Sequence, residues 1–203
     1  MSRGLCFFLV ASVTACGSVR VRPTDLPPVP SAQVHPDVLL VLDAAPAEMA
    51  DEARRISAAI GHTQEVGLGA DRSVVGACNS GVTGVVLHPR LGRTHFASDA
   101  GDRNLFLIYE SAIVVGLPVA LVSVAVWPWH GETTVEGILE VLPCGGSNSS
   151  TIVESFRLQS SGRGFMPAGT LAEEQGAEAK RGVTRKLFAA WLAEGATAQG
   201  GEK

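Results

Sequence analysis

The sequence predicts an α+β domain, with two main helices on one face of a small mixed sheet of about five strands. Three observations predict it. Residues 38–42 form an unbroken apolar run, the pattern of a strand covered on both faces. Two later segments alternate apolar and polar residues with period two, as strands with one wet face do. Apolar residues also recur at helical spacing after Pro46 and after Thr170.

The elements follow in chain order. Pro46 suits the first turn of a helix, Glu48, Asp51 and Glu52 complement its positive end, and Gly61 terminates it. Met49, Ala53, Ile56 and Ile60 then make the stripe that packs on a sheet. Residues 62–82 are rich in Gly, Ala, Ser and Val without a firm period, which predicts only a weak strand over 73–77 and a turn over 79–81. Val85, Val86 and Leu87 predict a short strand stopped by Pro89, followed by a polar loop over 90–104.

In 135–142, Val135, Leu139 and Val141 share one face and Glu136 and Glu140 the other. In 152–158, Ile152, Phe156 and Leu158 oppose Val153, Ser155 and Arg157. The Gly- and Ser-rich stretch 143–150 between these two strands carries Cys144 and reads as a hairpin-type loop. Thr170 and Glu173 have the spacing of a capping box, and Val183, Leu187 and Trp191, with Phe188 and Leu192 alongside, make a helical stripe. Gly176 and Gly182 each cost a helix about 1 kcal/mol relative to Ala, so the firm part is expected over 179–194, with a disordered tail over 196–203.

The amino terminus carries a different kind of information. Arg3, an apolar stretch over 5–13 and the small residues before Cys16 are the parts of a secretory signal. Val13-Thr14-Ala15-Cys16 resembles the lipobox of bacterial lipoproteins at all four positions. The resemblance implies that 1–15 is a cleaved signal peptide and that Cys16 receives a diacylglycerol and a third acyl chain on its freed amine, an anchor well above the two-signal threshold for stable membrane binding. Gly17, where that family often has Asp for inner-membrane retention, points to the outer membrane, with the domain facing the periplasm. Pro23, Pro27, Pro28, Pro30 and Pro36 make 16–36 a tether, and a single domain is expected over 37–195.

Cys6 would leave with the signal and Cys16 would be acylated. Cys78 and Cys144 remain, and in an oxidising compartment they are expected to form a disulfide. Without Arg3 the mature chain has 15 basic and 20 acidic side chains, a net charge near -5, which gives no reason to expect nucleic acid.

Residues 105–127 hold a single charge, Glu110. A spanning helix fits poorly, because the 17 uncharged residues of 111–127 lie at the lower length limit. Arg90, Arg93 and Arg103 would also place the preceding side in the cytoplasm, opposite to the side that Cys16 requires. Two readings remain for 111–127. Val114, Val115, Val119, Val122, Val124 and Val126 suit core strands. A hairpin dipping into the bilayer would instead place its tip at 116–118 and Tyr109, Trp127 and Trp129 at the interface. On this second reading Ile113, Val114, Val115, Leu117, Val119, Leu121, Val122, Trp127 and Trp129 contact membrane or partner.

Catalytic signatures are weak. His88 and His95, with Asp99 and Asp102 beyond, are the nearest approach to an acid-base or cation cluster, but a step of seven from one histidine to the next is no metal-ligand spacing. Ser80 lacks the flanking glycines of a nucleophile elbow, and no glycine-rich phosphate loop occurs. No catalytic residue, metal or cofactor is assigned. The expectation is a non-catalytic envelope lipoprotein, held to the membrane through Cys16 and acting with another envelope protein in an outer-membrane or transport complex. The alternative is a periplasmic small-molecule or glycan binder or hydrolase built on His88, His95 and Asp99, which requires a deep polar pocket uniting them.

Overall fold

A computed structural model describes residues 26–30, 37–67, 78, 84–98, 128–144, 149–163 and 168–199. They form an α+β fold, a five-stranded mixed sheet with two helices. The strands are β1 (Val38–Leu40), β2 (Thr63–Glu65), β3 (Val85–Ser98), β4 (Pro128–Pro143) and β5 (Ser150–Arg163), and the helices are α1 (Ala47–Ile60) and α2 (Ala168–Gln199). The sheet order is β2-β1-β3-β4-β5. The expectations for 73–77, for 79–81 and for the apolar segment 105–127, with Ile113, Val114, Val115, Leu117, Val119, Leu121, Val122 and Trp127, lie outside the described residues, as does Cys16.

Two compact units share β3, β4, β5 and α2. The larger holds the described residues within Thr24–Thr94, Thr134–Phe156 and Ala177–Lys203. Its second strand from the edge is β1, parallel to β2 on one side and to β3 on the other. The apolar run makes this possible, because Val38, Leu39, Leu40 and Val41 are all essentially without exposure and so are covered on both faces.

The helix α1 starts after Pro46 and ends at Gly61, as the sequence predicts. Its stripe Met49, Ala53, Ile56 and Ile60 is buried. Only Glu48 of the three acidic residues lies in the first turn. Glu48 meets Lys180 at 3.2 Å, Glu52 meets Arg185 at 2.6 Å and Asp51 meets Arg54 at 2.8 Å. Two of the three carboxylates therefore bind α1 to α2. Backbone hydrogen bonding at the helix start, aided by Lys180, holds the Glu48 carboxyl below its ordinary value against the opposing effect of burial.

The odd positions of β4 face α2, because Gly137 lies against Leu187 and Val183. Leu142 points the other way and joins Leu39, Val41 and Val86, with Val66, Cys78 and Cys144 packed against them. Cys78 and Cys144 are bonded, their Cα atoms 5.4 Å apart across 66 residues of sequence. The sheet of this unit is thus covered by helices on one face and by a small stapled cluster on the other.

The smaller unit holds the described residues within His95–Thr133 and Arg157–Gly176. Trp129 is buried to 4% exposure and packs with Leu171 and Phe96, over the bare backbone of Gly162. This corrects the expectation that Trp129 meets membrane or partner: its ring area is already covered by the protein. A buried polar group sits beside it. Gln175 accepts from Thr133 Oγ1 at 2.9 Å and donates to the Gly131 carbonyl at 3.4 Å and to Ser160 Oγ. Arg157 holds Glu132 at 2.5 Å and draws its carboxyl below the ordinary value.

Three expectations about element limits are corrected. First, β3 does not stop at Pro89 but runs to Ser98, through residues 90–98 of the expected loop. Val85 N–H bonds the Asp37 carbonyl and Val41 N–H bonds the Leu87 carbonyl, so odd positions of β3 face β1. The missing N–H of Pro89 falls on that side just after β1 ends at Leu40, so it ends the ladder with β1 without interrupting it. Second, β2 is an extra strand of polar residues at the sheet edge, where packing makes little demand on sequence. Third, α2 begins at Ala168 and reaches Gln199, so Thr170 lies within it and does not cap it, and residues 196–199 of the expected tail are helical. Among the described residues no helix is long and apolar enough to cross a membrane.

Candidate functional site

A buried polar constellation of the larger unit lies on neighbouring strands, on the sheet face turned away from α2. There β3 presents His88 and Arg90, and β4 presents Glu140. His88 is 4% exposed, and its Nδ1 lies 3.1 Å from Glu140 Oε2. Arg90 Nη2 donates to the other oxygen of the same carboxylate. One glutamate therefore bridges an imidazole and a guanidinium.

This bridging fixes the chemistry of the ring. The carboxylate paired with Arg90 only accepts hydrogen bonds, so Nδ1 is the donor in this contact and Nε2 is the ring nitrogen left over. That nitrogen is buried without a hydrogen-bond partner, as is Arg90 Nε. A carboxylate-oriented imidazole is the arrangement of a general base or of a metal-ligating histidine. Among the described residues no group of three His, Cys, Asp or Glu side chains gathers to hold a metal ion.

His95, expected to join His88, sits seven residues further along the same strand. It lies in the smaller unit, where its charge contributes a minor share to the lowered carboxyl of Glu132. Asp99 and Asp102 lie outside the described residues. The expected trio is replaced by a pairing that sequence reasoning missed. Glu140 reads as one of two carboxylates on a wet strand face, and only the register between β3 and β4 shows that it serves His88 and Arg90. Nothing in the sequence gives that register.

Of the other assigned residues, Cys78 and Cys144 are brought together as expected. The second polar centre of this unit was not foreseen. Arg185 places Nε 2.6 Å from Glu52 Oε1 and donates through Nη1 to the Pro27 carbonyl at 2.8 Å. No protein-family model matches the chain, and no curated protein matches it.

Proposed function

We propose that the protein is a lipid-anchored envelope lipoprotein whose disulfide-stapled α+β domain serves as a non-catalytic interaction or assembly component of an outer-membrane or transport complex. The observation that carries this reading is the set of four cysteines. Cys6 precedes the cut site, Cys16 completes the lipobox, and Cys78 and Cys144 are bonded to each other. A chain that spends its cysteines on a lipid site and a disulfide is suited to an oxidising compartment beside a membrane.

The domain supports a binding role more than a chemical one. The buried His88, which meets Glu140, is enclosed within the sheet, and His95, the histidine meant to complete an acid-base pair, stands seven residues along the strand. The test is mass spectrometry and membrane fractionation of natively expressed protein beside Cys16→Ala. Wild type is expected to begin at Cys16, to carry three acyl chains and to resist extraction with high salt and carbonate. The variant is expected in the soluble fraction. A wild-type chain with an unmodified Cys16 thiol overturns the reading. Retention of Cys16→Ala after carbonate would show a second attachment and assign it to the 111–127 segment.

A further inference from the structure

The Pro27 contact gives the proline-rich stretch a fixed point on the domain, and we propose that this point, the Arg185–Glu52 pair, clamps the tether and sets how far the domain can stand from the membrane. The proposal rests on the lipid-anchor reading for Cys16. Residues 26–30 contain three prolines, Pro27, Pro28 and Pro30. These positions have no N–H and cannot join a sheet ladder as donors. Their carbonyls remain as acceptors, and the Pro27 carbonyl is the one that is bound.

The clamp is built for this purpose. Arg185 and Glu52 are 13% and 6% exposed at their side chains, so the pair is nearly enclosed between α1 and α2. A guanidinium holds donors in a rigid fork, which lets Nε satisfy Glu52 while Nη1 reaches Pro27. Leu26, Pro27, Val29 and Pro30 are partly buried and only Pro28 is exposed, so the segment lies on the domain along most of its length. A proline-rich chain has little conformational freedom to lose on docking.

The consequence is a shorter leash. Between Cys16 and Pro27 the chain can extend at most roughly 38 Å, whereas a tether free up to Asp37 could extend roughly 73 Å. The clamp therefore roughly halves the volume radius within which the domain can meet a partner, and it raises its effective concentration near the bilayer.

The test uses the acylated full-length protein in phosphatidylcholine vesicles that carry an acceptor dye on the headgroup, with a donor dye at the exposed position of Val153. An eight-residue Gly-Ser insert is placed after Val19 in one variant and after Gln33 in another. Loss of energy transfer is expected for the insert after Val19 and none for the insert after Gln33, because the second lies behind the clamp. Equal loss from both inserts overturns the proposal. Arg185→Lys, which keeps a cation for Glu52 but lacks the fork, is expected to make the Gln33 insert register as well. Intact mass before reconstitution reads the acyl chains separately, so a failed anchor is distinguished from a failed clamp. In soluble Cys16→Ala protein, amide exchange at Leu26 and Val29 is expected to quicken in Arg185→Lys, and unchanged exchange there also overturns the clamp.

Discussion

Gly176 and Gly182 stand in the same helix, yet their surroundings call for opposite responses to a methyl group. A Cβ on Gly176 would meet nothing within 4 Å, whereas one on Gly182 would lie 2.5 Å from two ring carbons of Phe156. Gly176→Ala is expected to raise the urea midpoint by the equivalent of up to about 1 kcal/mol through helix propensity. Gly182→Ala is expected to lower it by about 1–3 kcal/mol, because the ring must move and overpacking outweighs propensity. The sequence marks both residues equally as weak points in a helix, since a close approach from β5 leaves no trace in the local pattern. The same limit hid the role of Glu140. His88 offers a second test at this scale, because its buried Nε2 has no partner and such an atom costs about 1–3 kcal/mol. His88→Leu leaves Glu140 paired with Arg90 and is expected to match or exceed wild-type stability in urea. A clear loss would show that the bond of Nδ1 to Glu140 outweighs the cost of the buried Nε2, and would return the dyad to consideration as a working site.

Among the elements, those dictated by local chemistry were legible and those dictated by neighbours were not. The apolar run of β1 and the Pro46-to-Gly61 frame of α1 specify their own structure, and both appear where the residues place them. The alternating segments of β4 and β5 give the correct faces, with Val135, Leu139 and Val141 inside on one strand and Ile152, Phe156 and Leu158 on the other. Their lengths were underestimated, since alternation fades at Pro128 to Thr134 while the strand continues. Pro89 misled for a specific reason. A proline stops a strand only where its N–H is required, and whether it is required depends on where β1 ends, a fact of tertiary structure. The polar edge strand β2 needed the βαβ connection through α1 to be recognised at all, and Thr-Gln-Glu carries no strand signal of its own.

For the whole molecule, the disulfide has the widest reach. It ties the end of β4 to a residue before β3 on the sheet face opposite α2, where Leu39, Val41, Val86 and Leu142 form an apolar cluster. Replacing Cys78 and Cys144 together by Ala is expected to lower stability by about 2–4 kcal/mol, read from denaturant midpoints, with far-UV circular dichroism unchanged in the absence of denaturant. A variant as stable as wild type would show that the cluster suffices and that the bond is dispensable to the fold. The position of β1 carries one more implication. The chain leaves the Arg185 clamp and then forms β1, an interior strand bonded in parallel on both sides. A pull along that strand from the membrane side would load its flanking ladders in shear, all bonds sharing the force, instead of peeling them singly. On the lipid-anchor proposal, a pull that outlasts the Arg185 clamp would therefore enter the sheet through a strand bonded on both sides.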